Sequence, residues 1–211
     1  MRLVTVLKTG GEYNERHVEW LQRQVRQPVT CLTDSKEPME YVTSIPLKHN
    51  FAGWWAKMEM FRDDLFLGDF LYVDLDTVFI KRGIPEEFEA MTETHVLSDM
   101  YGGDHINSGL MFLTEADRFP IWREFIREPH TVINSFSGGD QFYLDRHLRD
   151  AKRFQVEFPD AVVSYKIDVL HQLGHYQKKG NGDFGKASIV CFHGQPRPWQ
   201  IKESWVPCLD K

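Results

Sequence analysis

The stretch FLYVDLDTVFI, residues 70–80, limits the folds that are open to this chain. Its apolar and β-branched residues are typical of a buried strand, yet Asp74 and Asp76 interrupt it. Burying one unpaired carboxylate is costly, and two like charges close together are costlier still. The strand must therefore end where these two side chains can meet solvent or a positive partner.

Strand-like and helical segments alternate along the rest of the chain. Strands are predicted in RLVTVL, VTCLT, YVTSIPL, HVLSD, INSGLMFL, FQVEF, AVVSY and SIVCFHG. Helices are predicted after Asn14, which can cap the first one, at residues 119–127, at 140–149, and at 53–65, with an apolar stripe of Trp54, Met58, Phe61 and Leu65. The pattern predicts one α/β, Rossmann-like domain over residues 1–211, with a mostly parallel mixed sheet and helices on both faces.

Composition narrows the functional classes. The 211 residues are 42% hydrophobic, enough for one sizeable core, and the net charge of −6 argues against a protein that coats nucleic acid. Cys31, Cys191 and Cys208 are odd in number and widely spaced, which indicates neither a disulfide framework nor a CxxC metal site. No run of about 18 apolar residues occurs. We expect a soluble protein of a reducing compartment, the cytoplasm.

The two aspartates are the first candidate site. In a strand, Asp74 and Asp76 would point the same way and Leu75 the opposite way. They would lie at the carboxyl end of a central strand, where open α/β sheets bind ligands. Two carboxylates there suit Mg²⁺ or Mn²⁺, and the cation would relieve their repulsion. Alternatively, they only cap the strand end or pair with arginines.

Five stretches follow one another along the chain: LKTGGEY (7–13), FLYVDLDTVFI (70–80), INSGLMFL (106–113), GGDQFYL (138–144) and FHGQPRPW (192–199). In this order they resemble motifs of the GT-A glycosyltransferases, especially family 8, which includes glycogenin and bacterial galactosyltransferases. The last stretch is similar to the family's HxxGxxKPW pattern, with Arg197 in place of the Lys and Cys191 in place of the metal-binding His. His193 lies two residues further on, and an even shift keeps a strand side chain on the same face, so we expect His193 to be the ligand.

The resemblance implies a metal-dependent enzyme that moves a sugar from a nucleotide-diphosphate sugar to an acceptor, with retention of configuration by front-face substitution. It implies a nucleotide-binding part at about residues 1–80 and an acceptor-side part at about 81–211. The cofactor would be Mn²⁺ or Mg²⁺, and the acceptor a saccharide, a lipid-linked sugar, a protein or a nucleic acid. The implied residues are Asp74, Asp76 and His193 for the metal; Leu7, Thr9, Tyr13, Lys57, Asp74, Leu75, Gly194 and Arg197 for the donor; and Asn107, Asp140, Gln141 and Arg197 for the sugar and catalysis.

The chemistry of single residues agrees with this reading but leaves alternatives. Arg197 offers bidentate contacts to a diphosphate, whose negative charge grows as the sugar departs. Lys57 borders the buried stripe of its helix, so it must snorkel, meet an anionic ligand, or pair with Asp63 or Asp64. Asp140 also suits a helix N-cap after two glycines. Asp99 and Asp104 are further acidic candidates.

Two other functional classes stay open. A nucleotidyl- or phosphotransferase could use the same acidic strand end, but the chain has neither a GxxxxGK[ST] loop nor a basic glycine-rich loop. A non-catalytic nucleotide-sugar binding module is the other class. Basic patches at residues 146–153 and 178–179 would suit an anionic acceptor, or they are merely solvated faces.

Overall fold

The computed structural model describes residues 1–170 and 184–210; the predicted basic pair at 178–179 lies outside them. The described residues form two sheets, joined where β4 leads into β5. The strands are β1 (Arg2–Leu7), β2 (Val29–Thr33), β3 (Val42–Pro46), β4 (Phe70–Val73), β5 (Thr77–Phe79), β6 (His95–Ser98), β7 (Ile106–Leu113), β8 (Lys152–Arg153), β9 (Val162–Ser164) and β10 (Ile189–Cys191).

The large sheet has seven strands in the order β3–β2–β1–β4–β7–β6–β8. Strands β3, β2, β1 and β4 run parallel, and β7 runs antiparallel to both of its neighbours. The small sheet has the order β5–β10–β9. This is the predicted α/β architecture with a mostly parallel mixed sheet.

Helices cover both faces of the large sheet because its strands alternate. Leu3 and Leu71 pack on the side of α1, whereas Val4 and Phe70 pack on the side of α2 and α4. The α-helices are α1 (Glu15–Gln22), α2 (Glu115–Phe125), α3 (Pro129–Ser135), α4 (Asp140–Leu148) and α5 (Phe154–Glu157). Three 3-10 helices (Gly53–Phe61, Glu86–Ala90 and Pro198–Gln200) and a π-helical turn (Tyr165–Val169) complete the described elements.

The segment predicted as a helix over 53–65 is instead a 3-10 helix that ends at Phe61. A 3-10 helix repeats every three residues, so Trp55, Met58 and Phe61 share the buried face. The expected stripe was therefore wrong at Trp54, whose side chain is 71% exposed.

The predicted strand FQVEF was also wrong. Only the two residues before it pair, as β8 with β6, and Phe154–Glu157 then form the helical turn α5. The helical turn brings Phe154 and Phe158 onto one side, where both rings pack against Phe88 with centroids 5.0 and 4.9 Å away. Aromatic packing thus outweighed the strand-like alternation. No helix within the described ranges is both long and apolar enough to cross a membrane.

Candidate active site at the junction of the two sheets

The two aspartates lie in a turn between the sheets, not along a strand. β4 ends at Val73, and the Thr77 amide donates to the Asp74 carbonyl oxygen at 3.2 Å to close the turn. Leu75 points into the core, as does Leu7 at the end of β1, so only the backbone of these two residues is left to contact a donor. The site therefore joins the edges of both sheets.

Asp76 is buried and already has protein partners. Its Oδ2 accepts a hydrogen bond from the Tyr13 hydroxyl at 3.2 Å and another from Arg197. Burial and the nearby charge of Asp74 raise the pKa of Asp76 to about 7, and the contacts with Arg197 and Tyr13 only partly offset this. Of the two aspartates, Asp76 is thus the one whose charged form is disfavoured.

Lys57 joins this turn to helix α4. Its ammonium lies 3.1 Å from Asp74 Oδ1, 3.4 Å from Asp140 Oδ2 and 3.2 Å from the Ser108 hydroxyl. Burial disfavours its charge, but Asp140 and Asp74 together hold the pKa of Lys57 above its usual value. The alternative of pairing with Asp63 or Asp64 was wrong, because those side chains pair with Arg123, Lys48 and Arg62.

Asp140 is the first residue of α4, and Gly139 takes the N-cap position, so the N-cap reading of Asp140 was wrong. Its Oδ2 is buried and has no hydrogen-bond partner within the described part of the chain, since Lys57 is near enough for an ion pair but poorly aligned for a hydrogen bond. Burial raises the pKa of Asp140. An inward carboxylate oxygen without a donor is unusual for a structural residue.

Two amide side chains line the same edge. Asn107 Oδ1 accepts from the Gly109 amide at 2.9 Å, and Gln141 Oε1 accepts from the Ser108 amide at 3.3 Å. Gly109 allows Asp74 to approach closely, because a Cβ there would lie 3.3 Å from Asp74 Oδ2. Among residues 1–170 and 184–210, neither amide NH₂ group donates a hydrogen bond, which leaves both for a ligand.

Arg197 is held on the opposite side of the aspartates. Its guanidinium makes a bidentate pair with Glu12 at 2.7 and 2.9 Å, contacts Asp76, and lies over the Tyr13 ring at 5.3 Å. Burial disfavours its charge, but the hydrogen bonds that it donates to Glu12 and the charge of Asp76 raise the pKa of Arg197. Glu12 was missed in the sequence, where its only signal is its place beside Tyr13.

The loop after β1 is tied to the end of β2. The Thr9 amide donates to Asp34 Oδ1 at 2.8 Å, and Lys8 pairs with the same carboxylate. Tyr13 makes an edge-to-face contact with Trp199, their centroids 5.8 Å apart. Asp34 was also missed, although an acid directly after a parallel strand lies at the ligand-binding edge.

His193 lies beyond the end of β10. Its Nε2 is 2.6 Å from the Ser164 hydroxyl, and its ring meets Tyr101 edge-on at 5.2 Å. Burial and the charge of Lys166 lower the pKa of His193 to about 4. Cys191, by contrast, has its thiol pKa raised by burial and by the charges of Asp76 and Asp74.

The fit to a divalent cation is therefore partial. Asp74 and Asp76 supply two hard oxygen ligands, but no group of three or more His, Cys, Asp or Glu side chains converges on one point in residues 1–170 and 184–210. The predicted ligand His193 is bonded to Ser164 instead. The metal and its third ligand stay predictions.

Lys166 is a cation that the sequence reading missed. It lies in the π-helical turn after β9, and β9 runs parallel to β10, so its neighbours are the residues after Cys191. A Cβ on Gly194, whose φ is +76°, would lie 3.2 Å from Lys166 Nζ. Burial and the nearby Arg197 lower the pKa of Lys166, and the described residues give its ammonium no ion pair.

The further acidic candidates have local roles or none. Asp99 accepts hydrogen bonds from the Tyr101 and Gly103 amides at 3.1 and 3.0 Å and so orders the loop before β7. Asp104 is exposed in that loop.

Comparison with solved structures identifies the fold of this chain. No protein-family model and no curated protein matches this chain. Solved structures do match: the glycosyltransferase GlyE of Streptococcus pneumoniae TIGR4 (TM-score 0.62, 13% identity, 94% of this chain and 56% of GlyE) and the galactosyltransferase LgtC, solved with donor and acceptor sugar analogs (0.62, 11%, 94% and 89%). The bifunctional glycosyltransferase WbbM matches at 0.57 and 10% over 94% of this chain and 46% of its own.

This chain has the GT-A fold. It spans about half the length of the matched GlyE and WbbM chains and most of LgtC. At these identities the likeness concerns the fold, and the activity has to be argued from the site.

Proposed function

We propose that this protein transfers a sugar from a nucleotide-diphosphate sugar to an acceptor, with a divalent cation bound at Asp74 and Asp76. The observation that carries the proposal is the arrangement around these carboxylates, with Lys57 and Asp140 on one side and Arg197 and Lys166 on the other. The GT-A fold of this chain, and its similarity to solved glycosyltransferases, support the same reaction.

The positive side suits the leaving group. Charge develops on the diphosphate as the glycosidic bond breaks, and fixed positive groups stabilise it. Arg197 is charged and oriented by Glu12, and Lys166 brings an ammonium without an ion pair in the described residues. A bound Mn²⁺ or Mg²⁺ would add Lewis-acid stabilisation of the same charge.

The opposite side suits the sugar. The NH₂ groups of Asn107 and Gln141 can bond sugar hydroxyls, and the Asp140 Oδ2 next to them has no hydrogen-bond donor among the described residues. Lys57 pairs with both Asp74 and Asp140, and its single positive charge offsets part of their combined negative charge. We assign no covalent nucleophile, and retention by front-face substitution remains our proposal for the stereochemistry.

A donor-hydrolysis assay tests this function. We expect Mn²⁺-dependent release of free sugar from at least one member of a panel of UDP-, GDP- and ADP-activated sugars. Asp74→Asn and Asp76→Asn should lower this release by about a hundredfold or more. Asp63→Asn, which removes a surface carboxylate paired with Arg123, serves as the matched control.

The products separate the alternatives. Nucleotide transfer to the acceptor with release of sugar phosphate would indicate a nucleotidyltransferase. Donor binding by thermal shift with no turnover at all would indicate a binding module. Full activity of both aspartate variants would refute the site. The cytoplasmic location expected from the sequence stays a prediction.

A further inference from the structure

Two large aromatic side chains are exposed at the edge of the site, and both lie against glycine backbone. Trp54 is 71% and Phe142 52% exposed. A Cβ on Gly139 would lie 2.8 Å from the Trp54 ring, and one on Gly138 would lie 2.2 Å from the Phe142 ring. Only glycine allows rings this close to the chain. We call these four residues the aromatic rim.

The aromatic rim borders the sugar side of the site. Trp54 precedes Lys57 by three residues in a 3-10 helix, and side chains three apart lie above one another there. Lys57 contacts Asp140, and the Trp54 ring lies against Gly139, the residue before Asp140. The Phe142 ring lies against Gly138, so both rings lie beside the start of α4, where Asp140 is.

A polar pair continues the rim beyond Phe142. The His105 ring lies 6.3 Å from the Phe142 ring and its Nδ1 is 2.8 Å from Asp145 Oδ2. The Asp145 carboxylate also accepts from the Ile106 amide at 2.9 Å, which fixes its position. His105 is largely exposed, and its Nε2 faces no described protein partner. The rim thus ends in a positioned hydrogen-bonding group.

Charge near the rim disfavours an anionic occupant. The basic residues of segment 146–153 are largely paired, with Arg149 at 2.7 Å from Asp145, Lys152 at 2.6 Å from Glu93, and Arg146 at 4.0 Å from Glu124. A nucleic acid or a lipid diphosphate needs free cations to replace its counterions. The solvated-face reading of this segment is the one that its contacts favour.

We propose that the aromatic rim binds the acceptor and that the acceptor is a saccharide. One face of a pyranose ring presents mainly C–H groups and suits an exposed aromatic ring, while its hydroxyls need polar partners at the edge. Trp54 and Phe142 supply the apolar surface, and His105, held by Asp145, supplies the polar edge. This inference rests on the proposed function, because it places the acceptor next to the sugar that is transferred.

Sugar binding at the rim can be measured without turnover. The protein has six tryptophans, so 5-fluorotryptophan labelling gives few ¹⁹F resonances, and Trp54→Phe identifies that of Trp54. The probes are methyl β-galactoside, methyl α-glucoside, lactose, maltose and, as the anionic comparison, a pentathymidylate, each with UDP and Mn²⁺ present. We expect a sugar to shift the Trp54 resonance in a saturable manner, and Phe142→Ala to weaken that binding about tenfold.

The activity test uses the sugar that binds most tightly. Trp54→Ala and Phe142→Ala should each lower the ratio of transfer to donor hydrolysis by about tenfold or more. Phe66→Ala is the matched control, because Phe66 is 95% exposed in the turn before β4 and should change neither rate.

Three results would overturn the inference: no probe sugar shifts the Trp54 resonance, pentathymidylate shifts it instead, or Trp54→Ala and Phe66→Ala lower the ratio equally. Failure of the proposed function gives a different result. In that case, the wild-type protein hydrolyses no donor, whatever the NMR titration shows.

Discussion

Lys166 illustrates how a single residue can matter without belonging to a recognisable motif. Its ammonium stands beside Gly194 and Arg197 with no carboxylate paired to it in the described residues. If it stabilises the departing diphosphate, Lys166→Met should lower kcat about a hundredfold and change the donor KM less. Steady-state kinetics at saturating Mn²⁺ check this.

Lys166→Arg should recover part of the lost kcat, because it keeps the charge. Lys81→Met, at an exposed lysine just after β5, controls for removal of a surface charge. If Lys166→Met lowers kcat no more than Lys81→Met does, Lys166 takes no part in the reaction. A rise in donor KM alone would make it a ground-state binding residue.

At the residue scale, the sequence indicated which charged residues to consider, but not which residues they contact. The aspartates were predicted because carboxylates are unusual in an apolar strand, and Lys57 because it borders an apolar stripe. Arg197 was predicted from the resemblance to the C-terminal glycosyltransferase pattern. Their partners Glu12 and Asp140 come from distant parts of the chain, and spacing alone does not encode such contacts. The exposure of Trp54 was missed because the expected period was 3.6 residues and the actual one is 3.

At the scale of elements, Arg118 holds the 3-10 helix that carries Lys57. It lies on α2, is fully buried, and donates to the carbonyl oxygens of Met60 and Arg62 at 3.1 and 3.0 Å. Burial lowers the pKa of Arg118 to about 10, so it is still charged at neutral pH. Arg118→Ala leaves these carbonyls without a donor and should cost on the order of 3 kcal/mol in the free energy of unfolding.

Urea unfolding measures this cost. Arg123→Ala is the matched control on the same helix, because its pair with Asp63 is exposed and worth about 1 kcal/mol or less. An Arg118→Ala midpoint no lower than that of Arg123→Ala would contradict the role of Arg118.

The positions of the strands were predicted more successfully than the contacts between residues. Strands such as β1, β2 and β7 matched the predicted segments, because burial on both faces leaves a nearly continuous run of apolar and β-branched residues. The short helix α5 was missed, since its position depends on packing against Phe88, far away in sequence.

At the scale of the whole molecule, the acidic turn sets a pH dependence of stability. The pKa of Asp76 is about 7 in the folded protein and close to 3.9 in an unfolded chain. Between these values the folded state holds a proton that the unfolded state has lost, so stability falls as pH rises from about 4 to 7. Without metal, Asp76→Asn should therefore raise the melting temperature at pH 8 and change it least near pH 4.

Scanning calorimetry in EDTA, from pH 4 to 8, gives the difference in melting temperature between Asp76→Asn and wild type. Mn²⁺ at pH 8 should reverse the order, because only the wild-type site gains a ligand. For the control Asp63→Asn, the difference in melting temperature from wild type should not depend on pH or on Mn²⁺ in this manner. If the difference in melting temperature between Asp76→Asn and wild type does not vary with pH, Arg197 and Tyr13 fully offset the cost of burying the Asp76 charge.

The order of strands in the small sheet also bears on how the protein is made. β10 is the middle strand, yet it comes after both β5 and β9 in the chain, and Arg197 follows it. A ribosome delivers the chain from its N-terminus, so a nascent chain that has not yet reached Arg197 carries the acidic turn without its arginine. The large sheet can assemble during synthesis, whereas the candidate site is completed only when β10 pairs between β5 and β9, which were made before it.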